Sequence, residues 1–286
     1  MRPPYITDAY LSSFITQAFQ EDVGDGDHSS LASIPENAKS TAQLVVKDDG
    51  ILAGVEFAEK IFHHFDLSLN LETKINDGRS IKRGDIAFYV SGSARSILST
   101  ERLVLNTMQR MSGIATMTYR LTSLLKGTKT QLLDTRKTTP NFRLAEKWAV
   151  AIGGGTNHRI GLYDMIMLKD NHIDMAGGIT AAINRTKDYL RAANKNLKIE
   201  VETRNLKEVE EVLGVGGVDF IMLDNMDLAT MRDAVKLING RYKTEASGGI
   251  TEEKLRDVAD CGVDFISVGA LTHSFKSLDL SLKAVK

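Results

Sequence analysis

From about residue 130 onward the apolar positions come in blocks. Short apolar runs end in polar or glycine residues, and an amphipathic stretch follows each. The runs are QLLDTRK (131–137), DMIMLKDN (164–171), LKIEVET (197–203), DFIMLDN (219–225), KTEASGG (243–249) and DFISVGA (264–270). Helix candidates lie between them at 140–152, 178–195, 205–213, 227–239 and 251–261. Near-continuous apolar strands alternating with helices predict a parallel sheet covered on both faces. Six such units point to a β/α barrel or a doubly wound sheet, and their uneven spacing excludes a simple sequence repeat. Thr139 is placed to cap the helix after the first run, with Pro140 at the first helical position. Thr251 is placed to cap another, with Glu252 and Glu253 in its first turn.

Residues 1–115 read differently. A helix candidate at 8–20 leads into a glycine-acidic loop, EDVGDGDHSS. Strand-like pieces follow at 41–47, 51–54 and 86–90, with turns between them, and a long helix is predicted from about Ser96 to Lys126. This pattern predicts an α+β domain over 1–115, ahead of the barrel-like region over 116–271. The acidic loop lacks the residue order of a calcium-binding loop and reads as a tight turn held by Asx side chains.

Composition narrows the possibilities. The chain has 286 residues, 42% of them hydrophobic, enough for a sizeable core. No apolar run approaches the roughly 18 residues that span a bilayer. MRPPYITDAY has no apolar stretch of the kind found in signal peptides, so none is predicted. The single cysteine, Cys261, excludes an intrachain disulfide and favours a reducing compartment, the cytoplasm. Cys261 itself is expected to be a small buried residue. The net charge of −1 advertises neither nucleic acid nor membrane, so any anion binding must come from local clusters.

In parallel β/α folds ligands bind at the carboxyl ends of the strands. The first run ends in Asp134, Thr135, Arg136, Lys137 and Thr138, and the second in Lys169, Asp170, Asn171 and His172. The third carries Glu200 and Glu202, and the fourth ends in Asp224 and Asn225. The fifth ends in Ser247, Gly248 and Gly249, the sixth in Gly269 and Ala270, and the loop before the second adds Asn157, His158 and Arg159. Arg136, Lys137, Arg159 and Lys169 would repel one another at one mouth unless an anionic ligand or carboxylates relieved them. Glycine turns leading into helices present backbone N–H groups to phosphate, although each such turn alone is a weak signal. Glu202 and Asp224 could hold ribose hydroxyls, ligate Mg²⁺ or stabilise a developing positive charge. No His/Cys spacing of the zinc kind is present.

The stretch DTRKTTPNFRLAEKWAVAIGGGTNHRIGLYDMIMLKDNHI (134–173) resembles the quinolinate phosphoribosyltransferase family. EDVGDGDHSS, STERLVLNTMQRMSGIAT (99–116), IEVET, FIMLDN, EASGGI and ISVGALTHS carry the resemblance over nearly the whole chain. It implies an N-terminal α/β sandwich and a C-terminal open, incomplete β/α barrel of the type II phosphoribosyltransferase kind, with the tail 272–286 packed on the sandwich. It also implies transfer of phosphoribosyl from phosphoribosyl pyrophosphate to quinolinate, with decarboxylation and Mg²⁺, in NAD biosynthesis. A homodimer is implied as well, further packing of dimers being left open, with Arg102 of one copy reaching the barrel of the other.

By the same resemblance, Arg136, His158, Arg159 and Lys169 surround the quinolinate carboxylates, and Lys137 faces substrate and phosphate groups. Glu202 and Asp224 lie near ribose and metal, and Lys137, Lys169, Glu202 and Asp224 form the catalytic set. Ser247, Gly248, Gly249, Gly269 and Ala270 form the 5′-phosphate loops. The interval between EVET and FIMLDN is one residue longer than the family pattern, which leaves Glu200 as the alternative to Glu202. Whether side chains or only pyrophosphate and water hold the metal stays open. Rival readings are a relative of the same fold with another substrate, a phosphate-binding barrel lyase or synthase, and a non-catalytic anion receptor.

Overall fold

The computed structural model of the protein describes residues 2–285. Among the described residues twelve strands run in chain order: β1 Lys39–Val46, β2 Gly50–Ile51, β3 Asn70–Thr73, β4 Ser80–Ile81, β5 Ile86–Ser93, β6 Gln131–Leu133, β7 Ile166–Leu168, β8 Ile199–Thr203, β9 Phe220–Asp224, β10 Lys243–Ser247, β11 Phe265–Ser267 and β12 Leu280–Ala284. The chain divides into two compact units. One runs up to Tyr119 and takes in Thr138–Gly154 and the residues from Leu271 on; the other comprises Arg120–Lys137 and Gly155–Ala270.

The first unit holds a four-stranded antiparallel sheet in the order β12-β1-β5-β3 and a small ribbon of β2 and β4. The helix Val55–Phe65, which the sequence reading missed behind the apolar piece at 51–54, buries Val55, Phe57, Ala58, Ile61 and Phe62. That spacing of three and four residues puts one apolar stripe toward the core. Phe57 stacks on Trp148 at 6.3 Å between ring centroids, and Phe62 meets Phe88 edge-on at 5.9 Å. The long helix spans Ala94–Leu124, close to the predicted extent. In the acidic loop Asp27 caps the helix His28–Ser33, accepting from the Ser30 N–H at 3.1 Å, which makes the loop a turn as expected.

Neither predicted threonine cap forms. The helix after β6 starts at Arg143, with Phe142 at the cap position. The Thr139 N–H donates instead to the buried Glu146 carboxylate at 3.1 Å, and Glu146 also accepts from Arg110 Nε at 2.8 Å. Glu146 thus takes the donor end of residues 139–142 and turns them into a loop. Thr251 stands at the head of a 3₁₀ turn, Glu252–Lys254, without a side-chain capping bond.

The second unit is a six-stranded parallel sheet in the order β6-β11-β10-β9-β8-β7. Consecutive strands β7 to β11 are neighbours, but the described residues make no ladder between β6 and β7, so the barrel is open there. The strands are shorter than the apolar runs, because the polar ends of the runs form the loops at the mouth. Val201, Ile221, Leu223, Ala246 and Ile266 are fully buried on one face, each worth roughly 1–3 kcal/mol of burial. In register, Met167 lies beside Glu200, and Met222 beside both Glu202 and Glu245. Register partners share a face, so three glutamates look into the barrel interior. Cys261 is buried, as expected, and burial pushes its thiol up. No helix of the described residues is long and apolar enough to cross a membrane.

Gly113 on the long helix and Gly214 on the helix Leu206–Val215 give opposite predictions. A methyl group at Gly113 would run into the Lys276 carbonyl and Ser277 Cα, whereas one at Gly214 meets nothing within 4 Å. Gly113→Ala should cost about 1–3 kcal/mol, and Gly214→Ala should be neutral or stabilise by up to about 1 kcal/mol. Denaturant melts of both variants check this; equal effects would refute the close crossing at Gly113.

Candidate active site

Each functional side chain stands at the carboxyl end of a strand or in a loop tied to one. Asp134 follows β6 and is fully buried. Its carboxylate accepts from Asn157 Nδ2 at 2.7 Å and from the His158 N–H at 2.9 Å. Its own N–H donates to the Thr156 carbonyl at 3.2 Å, so residues 156–158 are laced along the exposed edge of β6. This explains an acidic residue beside Arg136 and Lys137: Asp134 fastens the loop that carries His158 and Arg159.

A cavity of about 300 Å³ opens inside the sheet. Arg136, Lys137, His158, Arg159, Lys169 and Ser247 line it together with Asp134, Thr135, Met167, Met222, Glu245 and Ser267. All four cations expected at one mouth therefore reach one cavity. Arg159 is 9% exposed, and its Nη1 donates to the Met165 carbonyl at 3.2 Å. Burial, then the neighbouring Arg136 charge, lower its affinity for a proton. The Lys169 ammonium lies 3.6 Å from Glu202. Glu202 is pushed up by burial and by Asp224, against the pull of Lys169. The two carboxylates are thus close enough to repel.

The glycine turn lies at a second hollow of about 540 Å³, lined by Asn225, Ser247, Gly248, Gly249 and Lys254 among others. Ser247 borders both hollows. Gly248 has φ +95° and the Asn225 side chain packed where a Cβ would stand, so only glycine fits there. Gly269 and Ala270 follow β11 and open the short helix Ala270–His273, and neither lines these two hollows. Arg102 is exposed on the helix Ala94–Leu124, in the unit that does not hold the cavity.

Glu245 escaped the sequence reading. Its signal was there: in KTEAS it stands two residues before Ser247, on the same face of the strand. Its carboxylate lies 3.2 Å from His158 Nε2, and that of Glu200 lies 2.9 Å from the same nitrogen. Glu200 and Glu202 share a face but part company, Glu200 meeting the imidazole and Glu202 the lysine. Burial would lower His158, but the hydrogen bonds and charges of the two glutamates outweigh it and raise its affinity for a proton. Yet Nδ1 accepts the Arg159 N–H at 2.7 Å. A second ring proton there would face another N–H. We therefore assign the ring proton to Nε2 from the hydrogen-bond pattern, and the further proton to the carboxylate pair. Burial and the Glu245 charge accordingly push Glu200 up to about 7.

Two family models cover this chain. The N-terminal domain model of quinolinate phosphoribosyl transferase matches residues 27–112, and its C-terminal domain model matches 114–283. The chain belongs to the quinolinate phosphoribosyl transferase family. Among relatives, the chloroplastic nicotinate-nucleotide pyrophosphorylase [carboxylating] of Arabidopsis thaliana is 46% identical over 99% of this chain and 85% of its own length. The probable nicotinate-nucleotide pyrophosphorylase [carboxylating] of Bacillus subtilis is 42% identical, over 95% and 92% respectively. A crystal structure of NadC from Streptococcus pyogenes superimposes with a TM-score of 0.92 at 39% identity, covering 98% of this chain and 99% of that one. The antiparallel sheet and the open parallel barrel described above are therefore the fold of the quinolinate phosphoribosyl transferase family.

The carboxylate pair makes stability depend on pH. An acid whose folded pKa lies above its unfolded value binds its proton more tightly when folded. The contribution of Glu200 is fully present below its ordinary 4.5 and is lost as pH rises through about 7. The loss is on the order of 3 kcal/mol. Thermal melts from pH 5 to pH 8.5 should show the wild type losing more stability than Glu200→Gln. Identical slopes would refute the shared proton.

Proposed function

We propose that the protein transfers phosphoribosyl from phosphoribosyl pyrophosphate to quinolinate with loss of CO₂, yielding nicotinate mononucleotide and pyrophosphate in NAD biosynthesis. The observation that carries this reading is the pair Arg136 and Arg159 at the wall of one cavity, where burial and then the Arg136 charge lower the proton affinity of Arg159. A planar dicarboxylate relieves that repulsion, because each guanidinium grips a carboxylate through two hydrogen bonds. Lys169 adds a third cation. An anion receptor without chemistry gains nothing from Glu202 and Asp224 beside them.

The phosphoribosyl donor places its 5′-phosphate at the Gly248–Gly249 turn, with Gly269 and Ala270 as the second loop, and directs its pyrophosphate toward Lys137. Glu202 and Asp224 fit a magnesium ion: they are oxygen donors that repel one another, and Mg²⁺ is commonly held by one or two carboxylates with substrate phosphates. When bound, the ion supplies positive charge to the departing pyrophosphate. As pyrophosphate leaves, positive charge grows on the ribose, and Glu202 and Asp224 stabilise it. The pyridine nitrogen of quinolinate forms the new bond to the ribose. The alkylated ring then takes up the electron pair of the breaking C–C bond, the 2-carboxylate departs as CO₂, and the ring carbon it leaves takes up a proton from water. Holding two anions in line contributes much of the rate.

We further assign the exposed Arg102 to the active site of a second copy, in a homodimer, and place the protein in the cytoplasm on the strength of its single unpaired thiol, Cys261.

Purified protein supplied with quinolinate, phosphoribosyl pyrophosphate and Mg²⁺ should release CO₂ and form nicotinate mononucleotide, with nicotinate inert as a control. No turnover from a folded sample would overturn the assignment. Arg136→Ala and Lys169→Ala should each weaken quinolinate binding by about tenfold to a hundredfold in titration calorimetry, and affect the phosphoribosyl donor far less. Unchanged quinolinate affinity in both would remove these residues from its site.

A further inference from the structure

Both ring nitrogens of His158 are committed within the protein. Nδ1 accepts the Arg159 N–H at 2.7 Å, and Nε2 faces Glu200 at 2.9 Å and Glu245 at 3.2 Å. The carboxylates come from different strands, β8 and β10, and both side chains are almost completely buried. The second oxygen of each, Oε1, has no hydrogen-bond partner among the described residues. Two buried acids are costly. What they obtain in return is one imidazole held from the far side of the ring. That imidazole grips the backbone of the residue whose guanidinium enters the cavity.

We propose that Glu200 and Glu245 are positioning residues that act through His158 to set the backbone at Arg159, and hence the guanidinium that receives a quinolinate carboxylate. The inference rests on the transfer to quinolinate proposed above. It gives His158 a different part from the one the family resemblance implies: the ring serves its neighbouring arginine and not a substrate carboxylate.

The same three residues could be taken for a metal site, since their donor atoms lie within 4.8 Å of one another. The ring argues against it. A metal-bound Nε2 must give up its proton, and the proton then resides on Nδ1. Here Nδ1 accepts a hydrogen bond and cannot carry one toward the Arg159 N–H. The arrangement suits a donated Nε2–H between two carboxylates.

A positioning role has a directional signature. Arg159 lines the cation-walled cavity, whereas the glycine turn belongs to the second hollow. Loss of Glu245 should therefore disturb quinolinate and spare the phosphoribosyl donor. Glu245→Ala in the full-length protein should raise the KM for quinolinate roughly tenfold, the usual scale for a residue one step removed from the ligand. The KM for phosphoribosyl pyrophosphate should stay within about twofold. Glu245→Gln keeps an acceptor oxygen for Nε2–H and should recover most of the loss.

The deciding measurement is a double-mutant cycle with Arg159→Ala. If Glu245 acts through Arg159, then Glu245→Ala adds less than about twofold to quinolinate KM once the guanidinium is gone. Equal rises in both KM values, or effects that multiply in the double variant, would overturn the proposal. Should Glu245→Ala not fold, Glu245→Ser, whose hydroxyl and admitted water fill the gap, carries the same cycle. Wild-type protein that does not turn over quinolinate would sink the assigned reaction, and the cycle is then read from quinolinate affinity by calorimetry.

Discussion

A charge taken out of water needs a partner, and that rule organises the interior of this barrel. Three glutamates, Glu200, Glu202 and Glu245, lie on inward-facing positions and are 6% exposed or less. Each is answered from another segment: Glu200 and Glu245 by the Nε2–H of His158, and Glu202 by the Lys169 ammonium. Had these positions been aliphatic, the cations at the mouth would have had nothing to be arranged against. Strands that pack apolar faces outward and acids inward give the sheet a core on one side and a polar chamber on the other.

The chamber is divided by chemistry as well as by shape. On one side stand the guanidinium groups of Arg136 and Arg159, the first bearing on the second, and the ammonium groups of Lys137 and Lys169. On the other is a glycine turn where Asn225 occupies the space a side chain at Gly248 would need. Ser247 belongs to both. A reaction that joins a planar dicarboxylate to a phosphorylated sugar needs such a division, with the reacting atoms meeting at the common wall. Glu202 lines neither hollow, but it lies 3.6 Å from the Lys169 ammonium of the cation-walled one, with Asp224 near enough to repel it.

The loop from Asp134 to Thr139 shows how the chain holds its cations. Asp134 binds the segment that carries His158 and Arg159, while Glu146 binds the Thr139 N–H and Arg110. Thr139, which read as a helix cap, is occupied otherwise, since the Glu146 carboxylate in the first turn of the helix satisfies its backbone donor. Capping rules look at neighbours in sequence. Here the first turn of the helix and a distant arginine decide.

Much of the protein was legible from its sequence for a simple reason. In a parallel β/α fold the apolar period, the strand order and the carboxyl-end location of ligands are all local or topological, so blocks of hydrophobicity followed by Arg136, Lys169 or Ser247 already mark the mouth. Family motifs identified the same positions. The helix Val55–Phe65 and the strand β3 were not legible, because short, mixed segments acquire their faces only when packed. Nor was the separation of Glu200 from Glu202, or any part for Glu245. Alternation places those acids on one face, but which cation each one meets depends on strand register and on the loop that Asp134 pins across the edge of β6. The sequence by itself determined the architecture and the inventory of charges. Only the tertiary structure decided their pairing, because side-chain hydrogen bonds and ion pairs form between groups brought together through space, and the two glutamates that meet at His158 lie 42 and more positions away along the chain.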